Sequence, residues 1–485
     1  MKKLFLLLVL VLGICETQSA FCQSSIHGYT IDGEIVGIET DSIKIEYYNS
    51  PSSFIPVTAT HYSKVVNGRF HFNLGNLSRM PFGSIKVFRD SPDGYIIIND
   101  FFLTEPEDHI HITLSLGDPI FSGKGSAKYN FMVWLTHLIS DQNQNSYKRI
   151  DDPIENIEYQ NSVWDKIEKN AMAVLYTNKD KISAGVISIL QLTINAMHAN
   201  QELVALRSNT DSVVRVYLSH HPIGFAQLEK PNDLSVKAAN FGDALILKEQ
   251  IIARLKTRGE EQRSEKMFES VKNGYKGVVR DKLLSIMALW DSYHSGLNLD
   301  SITNEINDSY YKTTVLNYVD RLRIGSMVFD GQFSDMNGKV VNISDFKGKV
   351  VILDVYFTGC SGCIRLSQAM TPVLDAFQDN PNVVLLSINE DKKRDLFIAA
   401  VKSQRYTHAQ SVNVYTNGQG EEHPFTKHYQ LVGAPQYMII GKDGRILLAN
   451  SPQAPNLNRL TGEVNPNDSG VLAWIDIIKK ALSAN

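Results

Sequence analysis

The residues in this sequence best suited to chemistry are Cys360 and Cys363, which stand three positions apart. Residues 350–357 are apolar or aromatic except at Asp354, which is typical of a strand buried on both faces of a parallel sheet. Over residues 366–377 the apolar side chains recur at helical spacing instead. The spacing therefore predicts that the cysteine pair lies where a buried strand turns into a helix.

That location favours redox chemistry. A thiol at a helix N-terminus meets unsatisfied backbone N–H groups and the positive end of the helix dipole, which favour thiolate over thiol. Cys360 is therefore the predicted nucleophile. Cys363 falls in the first helical turn and on the same face, so it can reach Cys360 and close a small disulfide ring. The alternative is that two buried cysteines happen to have this spacing.

The N-terminus has the pattern of a secretory signal. Lys2 and Lys3 precede an apolar run over residues 4–14, which is too short for an ordinary membrane span. We expect residues 1–22 to be a signal peptide cleaved before Gln23, and an uncleaved anchor is the alternative. The expected location is the periplasm or cell envelope, with the protein either soluble or tethered to a membrane.

The cysteine count limits the chemistry further. The sequence has four cysteines, and Cys15 and Cys22 fall within the expected signal. Only Cys360 and Cys363 would remain, so a framework of structural disulfides is not expected. A zinc site usually needs four ligands, and no second cysteine pair exists to complete one. We predict neither a metal nor a cofactor.

Length and composition indicate an ordinary globular protein of several domains. The chain has 485 residues, of which 43% are hydrophobic and 21% charged. A chain of this length suggests about three domains, and the composition allows a packed core. The formal net charge is −4, so nothing points to nucleic acid as a partner.

Residues 26–122 read as a small antiparallel β sandwich or barrel. Short apolar runs alternate with turn residues, and Asn67-Gly68 between two such runs is a strong hairpin signal. His109 and His111 alternate onto one strand face and could ligate a metal. Because no third ligand is evident, we favour surface histidines.

Residues 125–322 have helical periodicity, and we predict an all-α region without a chemical constellation of its own. The Gly123–Ser126 stretch before it resembles the start of a phosphate-binding loop but lacks the full pattern, so a linker is favoured. Residues 325–485 then read as α/β, with a βαβ unit around the cysteines followed by a β-hairpin and a helix.

Residues 325–485 resemble the thioredoxin superfamily, specifically its exported TlpA/ResA-like thiol–disulfide oxidoreductases of the AhpC/TSA redoxin type. The resemblance rests on Asp354 six residues before the first cysteine, on the Cys360–Cys363 pair, and on Ala434-Pro435 before a strand. It implies a thioredoxin-like fold. The whole layout also resembles exported proteins of Gram-negative bacteria whose N-terminal β domain has no assigned function.

The resemblance implies a role for each of these residues. Cys360 would attack and Cys363 would resolve. Pro435 would follow a cis peptide bond and face the cysteines, while the backbone of Ala434 would pair with an extended substrate strand. Asp354 would lie beneath the pair with its pKa raised by burial, and would take the proton from Cys363.

Two departures from the family pattern bear on specificity and direction. Gly359 stands before the first cysteine where an aromatic residue is common, so the surface that grips a substrate is altered. Ser361-Gly362 replaces the common Gly-Pro between the cysteines. Reduction potentials in the superfamily range from about −270 to −120 mV, so the motif alone does not fix the direction of electron flow.

Three functions compete. The first is a periplasmic oxidoreductase, favoured as a reductase, that acts on protein or peptide disulfides and draws on an external electron donor such as a membrane thiol-reductase. The second is a thiol peroxidase, which is disfavoured because Phe357 and Leu353 occupy the positions where peroxidatic motifs carry Thr or Ser and Pro. The third is a non-enzymatic envelope protein that uses the pair as a copper(I) site.

Overall fold

The computed structural model describes most of the chain from residue 29 onward. The described ranges are 29–40, 42–48, 58–74, 82–88, 95–146, 148–221, 228, 230–257, 260–291, 299–429, 431, 434–449, 455–458 and 462–483. The predicted signal peptide, residues 1–22, lies outside them. No helix within these ranges has the length and apolar character that crossing a membrane requires.

Eight strands are described in the N-terminal part. They are β1 (Thr30–Ile35), β2 (Ser42–Tyr48), β3 (Thr58–Lys64), β4 (Arg69–Asn73), β5 (Phe82–Phe88), β6 (Tyr95–Leu103), β7 (His109–Leu114) and β8 (Ile120–Lys124). They form two four-stranded sheets with the orders β4-β1-β7-β8 and β3-β2-β5-β6. Buried residues of both sheets, such as Ile31 and Ile45, belong to one apolar core. The predicted all-β sandwich is confirmed.

One pairing differs from the antiparallel arrangement that we predicted. β1 pairs with β7 in parallel, Ile31 lying opposite Ile110. Parallel neighbours need a crossover connection, and here β2 to β6 intervene between the two strands. The Asn67-Gly68 hairpin is present as predicted, since both residues have positive φ (52° and 73°) between β3 and β4, as a type I′ turn requires.

Nine helices are described in the middle of the chain. They are α1 (Ser126–Asn145), α2 (Pro153–Thr177), α3 (Ala184–Arg207), α4 (Asp211–His220), α5 (Phe241–Lys256), α6 (Glu260–Gly274), α7 (Gly277–Asp291), α8 (Leu299–Glu305) and α9 (Ser309–Leu322). Local signals set their starts: Asp152 accepts hydrogen bonds from two N–H groups of the first turn of α2, and Pro153 occupies its first position. The Gly123–Ser126 stretch ends β8 and starts α1.

The C-terminal part is a mixed sheet flanked by helices. Its strands are β9 (Gln332–Asp335), β10 (Val340–Asn342), β11 (Val350–Tyr356), β12 (Val383–Asn389), β13 (Val412–Tyr415), β14 (Gln436–Ile440) and β15 (Ile446–Leu448). Its helices are α10 (Ser361–Asp375), α11 (Arg394–Ser403), α12 (Pro424–Tyr429) and α13 (Ser469–Ser483). The strand order is β10-β9-β13-β12-β11-β14-β15, which confirms the predicted thioredoxin-like α/β fold.

The central strand explains why this sheet can carry a site. All seven residues of β11 are buried, because β12 and β14 flank it and both sheet faces are covered. Val350 and Ile352 share an apolar core with α10 and α13, whereas Val351 and Leu353 face the opposite side. The strand is therefore held rigidly up to its end at Tyr356.

Candidate active site

The redox pair lies where the sequence predicted it, between β11 and α10. Cys360 has extended backbone angles and caps the helix, and its Sγ accepts from the backbone N–H of Cys363 at 2.9 Å. The two sulfurs form a disulfide, 2.02 Å apart. Cys360 is 6% exposed and Cys363 3%, so only a narrow part of the pair meets solvent, and more of it belongs to Cys360. This ordering fits attack at Cys360 and resolution at Cys363.

The Ala434-Pro435 segment lies against the cysteines. Its peptide bond is cis, as the resemblance implies. The Sγ of Cys360 lies 3.5 Å from the carbonyl oxygen of Ala434. A Cβ placed on Gly362 would lie 3.2 Å from Cδ of Pro435. The segment that precedes β14 and the start of α10 therefore form two sides of one groove around Cys360.

Gly359 is exposed and has a φ of 96°, a left-handed conformation that side chains disfavour. Its N–H donates to the hydroxyl of Tyr406 at 3.0 Å. Glycine thus suits this backbone conformation better than the aromatic residue common in the family. Position 359 therefore places no side chain over the surface beside Cys360.

Asp354 is buried within the sheet, on the face that α10 covers. It lies between Ser387 on β12 and Tyr437 on β14. Complete burial raises the pKa of its carboxyl to about 7, and the hydroxyls of Ser387 and Tyr437 offset part of that shift. One carboxyl oxygen makes no hydrogen bond to the described residues. A carboxyl that is half-protonated near neutral pH can accept or return a proton.

Two residues that the sequence analysis missed hold the loop that carries Cys360. Asp391 accepts from the N–H of Thr358 at 2.9 Å and from its hydroxyl at 2.6 Å. Tyr406 holds Gly359, as described, and stacks on Tyr356 with ring centroids 6.0 Å apart. Asp391 lies two residues after the end of β12. In open α/β sheets, sites form beyond the carboxyl ends of the strands, and this position is the signal that could have found it.

The histidines considered as metal ligands have other partners. His109 hydrogen bonds to the hydroxyl of Thr30 at 2.8 Å, and His111 pairs with Asp32 at 2.6 Å. Within the described ranges, no three His, Cys, Asp or Glu side chains are grouped so that they could hold a metal ion.

A family model described as the AhpC/TSA family matches residues 324–449. No curated protein matches the chain. Among solved structures, the thioredoxin domain of a thiol-disulfide oxidoreductase from Bacteroides vulgatus is 23% identical, covering 27% of this chain and 89% of that chain with a TM-score of 0.24. A thiol:disulfide interchange protein from Bacteroides sp. is 21% identical; the match covers 34% of this chain and 94% of that chain, with a TM-score of 0.26. A conserved Bacteroides fragilis protein of unknown function is 17% identical, covering 27% and 93%, with a TM-score of 0.24.

The family match coincides with the part of the chain that carries both the disulfide and the cis proline. It leaves the β sandwich and the helical region without a family assignment. Residues 324–449 of this chain thus match the AhpC/TSA family model, and they lie in a domain with a thioredoxin-like fold and a disulfide-bonded cysteine pair at the start of α10.

Proposed function

We propose that this protein is a periplasmic thiol–disulfide oxidoreductase that reduces disulfides in proteins or peptides. The observation that carries the proposal is the position of the Cys360–Cys363 pair at the N-terminus of α10 and against the carbonyl of Ala434. A sulfur at a helix N-terminus is stabilised as a thiolate and is a good leaving group, and both properties favour thiol–disulfide exchange.

The exchange runs in two steps. In the dithiol form, the thiolate of Cys360 attacks one sulfur of the substrate disulfide, forms a mixed disulfide and releases the other substrate sulfur as a thiolate. Cys363 then gives its proton to Asp354 and attacks Cys360, which expels the remaining substrate thiolate. Two electrons have passed to the substrate, and Cys360–Cys363 is a disulfide again.

The groove suits an extended polypeptide. Ala434 and Pro435 are half-buried beside the disulfide, and Gly359 and Gly362 place no side chain on either side of Cys360. Binding through the backbone of Ala434 would add a strand and tolerate many sequences. Protein and peptide disulfides are therefore the proposed substrates, with little selection by side chain.

The location and the electron source complete the proposal. The basic N-terminus followed by a short apolar run supports export, and a membrane thiol-reductase would return electrons to the pair. Fractionation of cells that produce the tagged chain tests the location. The predicted result is a mature protein that begins near residue 23 in the periplasm or envelope, and full-length protein in the cytoplasm would contradict it.

Three assays on the purified mature chain separate the candidate functions. We expect catalysed reduction of insulin disulfides by dithiothreitol, no turnover of hydrogen peroxide, and no tight copper(I) binding by the reduced pair. Peroxide turnover without insulin reduction would favour a thiol peroxidase. Tight copper binding without either activity would favour a metal-handling protein.

A further inference from the structure

The β sandwich contacts the C-terminal domain near residues 357–360, the loop between β11 and α10 that carries Cys360 and is called the redox loop below. Lys44 on β2 is only 1% exposed, and its Nζ lies 2.8 Å from Oε2 of Glu421. The hydroxyl of Tyr62 on β3 donates a hydrogen bond to the carboxylate of Glu422, the residue after Glu421. Both glutamates belong to a short 3-10 helix, Gly420–Glu422, that follows β13. The contact thus reaches the end of the sheet at which the active site lies.

Hydrogen bonds connect that 3-10 helix to the 389–392 loop, a segment that comprises the last residue of β12 and the three residues after it. Nζ of Lys392 donates to the carbonyl of Gln419 at 3.2 Å, and the hydroxyl of Thr416 donates to the carbonyl of Asn389 at 3.0 Å. A Cβ on Gly420 would lie 2.9 Å from the carbonyl oxygen of Glu390, so the two backbones are in close contact. Hydrogen bonds and close backbone contact therefore join the two loops.

The 389–392 loop in turn holds the redox loop. The carboxylate of Asp391 is buried and accepts three hydrogen bonds, two from Thr358 and one from the side-chain amide of Asn389 at 2.9 Å. Thr358 stands two residues before Cys360. Hydrogen bonds to a charged group are stronger than neutral ones, so this contact fixes the loop more firmly than packing alone would.

The acidic 3-10 helix receives a cation from the β domain, since Lys44 pairs with Glu421. Burial, with the charge of Glu421 as a smaller cause, raises the pKa of Glu390 to about 8, so Glu421 and not Glu390 carries the negative charge there at neutral pH. Lys44 pairs with Glu421, Lys392 acts on Glu390, and Lys427 pairs with Glu422 at the end of the 3-10 helix. Lys44 is thus placed to hold the acidic 3-10 helix against β2 of the β sandwich. The loop after β12 is held with it, because that loop contacts the 3-10 helix.

We propose that the β domain positions the redox loop, with Lys44 as a positioning residue that acts through Glu421 and Asp391 on Thr358 and Cys360. This inference rests on the proposed function, since it assigns the N-terminal domain a role at the same site. In chemical terms, the contact between the β sandwich and the C-terminal domain keeps Cys360 aligned with the N–H groups at the start of α10, which stabilise its thiolate.

The test compares variants whose charge changes are opposite. Lys44→Met removes a cation and Glu421→Gln removes an anion, so a purely long-range electrostatic effect would change thiolate reactivity in opposite directions. The relay predicts the same direction for both. Lys124→Met is the matched control, because Lys124 pairs with Glu107 at 2.6 Å on the same domain and both side chains are exposed.

The readout is the rate of Cys360 alkylation by iodoacetamide in the reduced mature chain, measured from pH 5 to 9 by mass spectrometry. We expect Lys44→Met, Glu421→Gln and Asp391→Asn each to slow alkylation at pH 7 by roughly 2- to 30-fold. The midpoint of each pH profile should move upward. Lys124→Met should leave both quantities unchanged, and Lys44→Met with Asp391→Asn should cost less than the product of the single effects.

Other outcomes overturn the proposal. Opposite signs for Lys44→Met and Glu421→Gln, or effects equal to the control, would mean that no relay exists. Lys44→Met leaves Glu421 without its partner, but the Glu421 side chain is 41% exposed and water can solvate it; should the variant fail to fold, Glu421→Gln and Lys44→Arg carry the test. Alkylation needs no protein substrate, so a chain that fails to reduce insulin defeats the proposed function and leaves this result interpretable.

Discussion

At the scale of single residues, the buried carboxyl of Asp354 carries a stability cost beside its proposed role as a proton acceptor. Its carboxyl ionises at about pH 4 in an unfolded chain but at a pKa of about 7 in the folded protein, because burial disfavours its charge. Between these values the unfolded state releases a proton that the folded state keeps. Stability contributed by this residue is therefore highest at low pH and falls as the pH rises towards 7.

We predict that Asp354→Asn removes this loss of folding stability at higher pH and slows the resolution of the mixed disulfide. The variant should gain stability relative to the natural sequence as the pH rises from 4 to 8, by at most about 4 kcal/mol. Resolution of the mixed disulfide should slow by at least about tenfold, since Cys363 loses its proton acceptor. Urea unfolding at several pH values and stopped-flow exchange measure the two effects. Parallel pH–stability curves for the two proteins would contradict the burial argument.

At the scale of elements, the start of α10 has little room beside the cis-proline segment. Gly362 is the second residue of the helix, and a methyl group there would lie 3.2 Å from the ring of Pro435 and 3.9 Å from Sγ of Cys360. That contact is tighter than ordinary van der Waals packing. The absence of a side chain at position 362 therefore keeps the groove around Cys360 open.

We predict that Gly362→Ala slows exchange without unfolding the domain. Alanine should favour the helix by up to about 1 kcal/mol, while the contact with Pro435 opposes that gain, so the melting temperature should change little. Insulin reduction should fall severalfold because the groove is narrower. Gly185→Ala is the matched control, because Gly185 is the second residue of α3 and a Cβ placed on it would meet no atom within 4 Å. This variant should leave the rate of exchange unaltered.

Local patterns located the elements of the C-terminal domain well. The predicted βαβ unit, the β-hairpin and the final helix are present as β11-α10-β12, β14-β15 and α13, since each segment combines a clear hydrophobic period with turn residues at its ends. The parallel pairing of β1 with β7 was not predictable, because it joins strands separated by five others along the chain. Asp391 was missed for another reason: the predicted βαβ unit already placed β12 beside β11, but no local motif marks Asp391 as the hydrogen-bond partner of Thr358.

At the scale of the whole molecule, buried charges join the domains. Lys44 meets Glu421 across 377 residues of sequence, a contact that no local pattern could indicate. A second buried lysine, Lys128 at the start of α1, pairs with Asp108 at 2.6 Å and links the β sandwich to the helical region. Both lysines are almost fully buried, so each depends on its partner.

We predict that Lys128→Ala strongly destabilises the N-terminal part. Burial already raises the pKa of Asp108, and Lys128 is the main group that opposes this shift. Removing Lys128 would leave a buried carboxyl uncompensated, at a cost of about 3–5 kcal/mol. Lys124→Met, in an exposed pair, should cost less than about 1 kcal/mol. Chemical denaturation followed by far-UV circular dichroism measures both, and equal effects would contradict the importance of burial.

The most direct measurement is the capture of a disulfide substrate by single-cysteine variants of the mature chain. With an oxidised peptide, Cys363→Ala should accumulate a mixed disulfide at Cys360, detected by mass spectrometry, because the resolving thiol is missing. Cys360→Ala should form no adduct on the same timescale and should lose insulin reduction entirely. Full activity in Cys360→Ala, or an adduct formed first at Cys363, would contradict the assignment of Cys360 as the nucleophile.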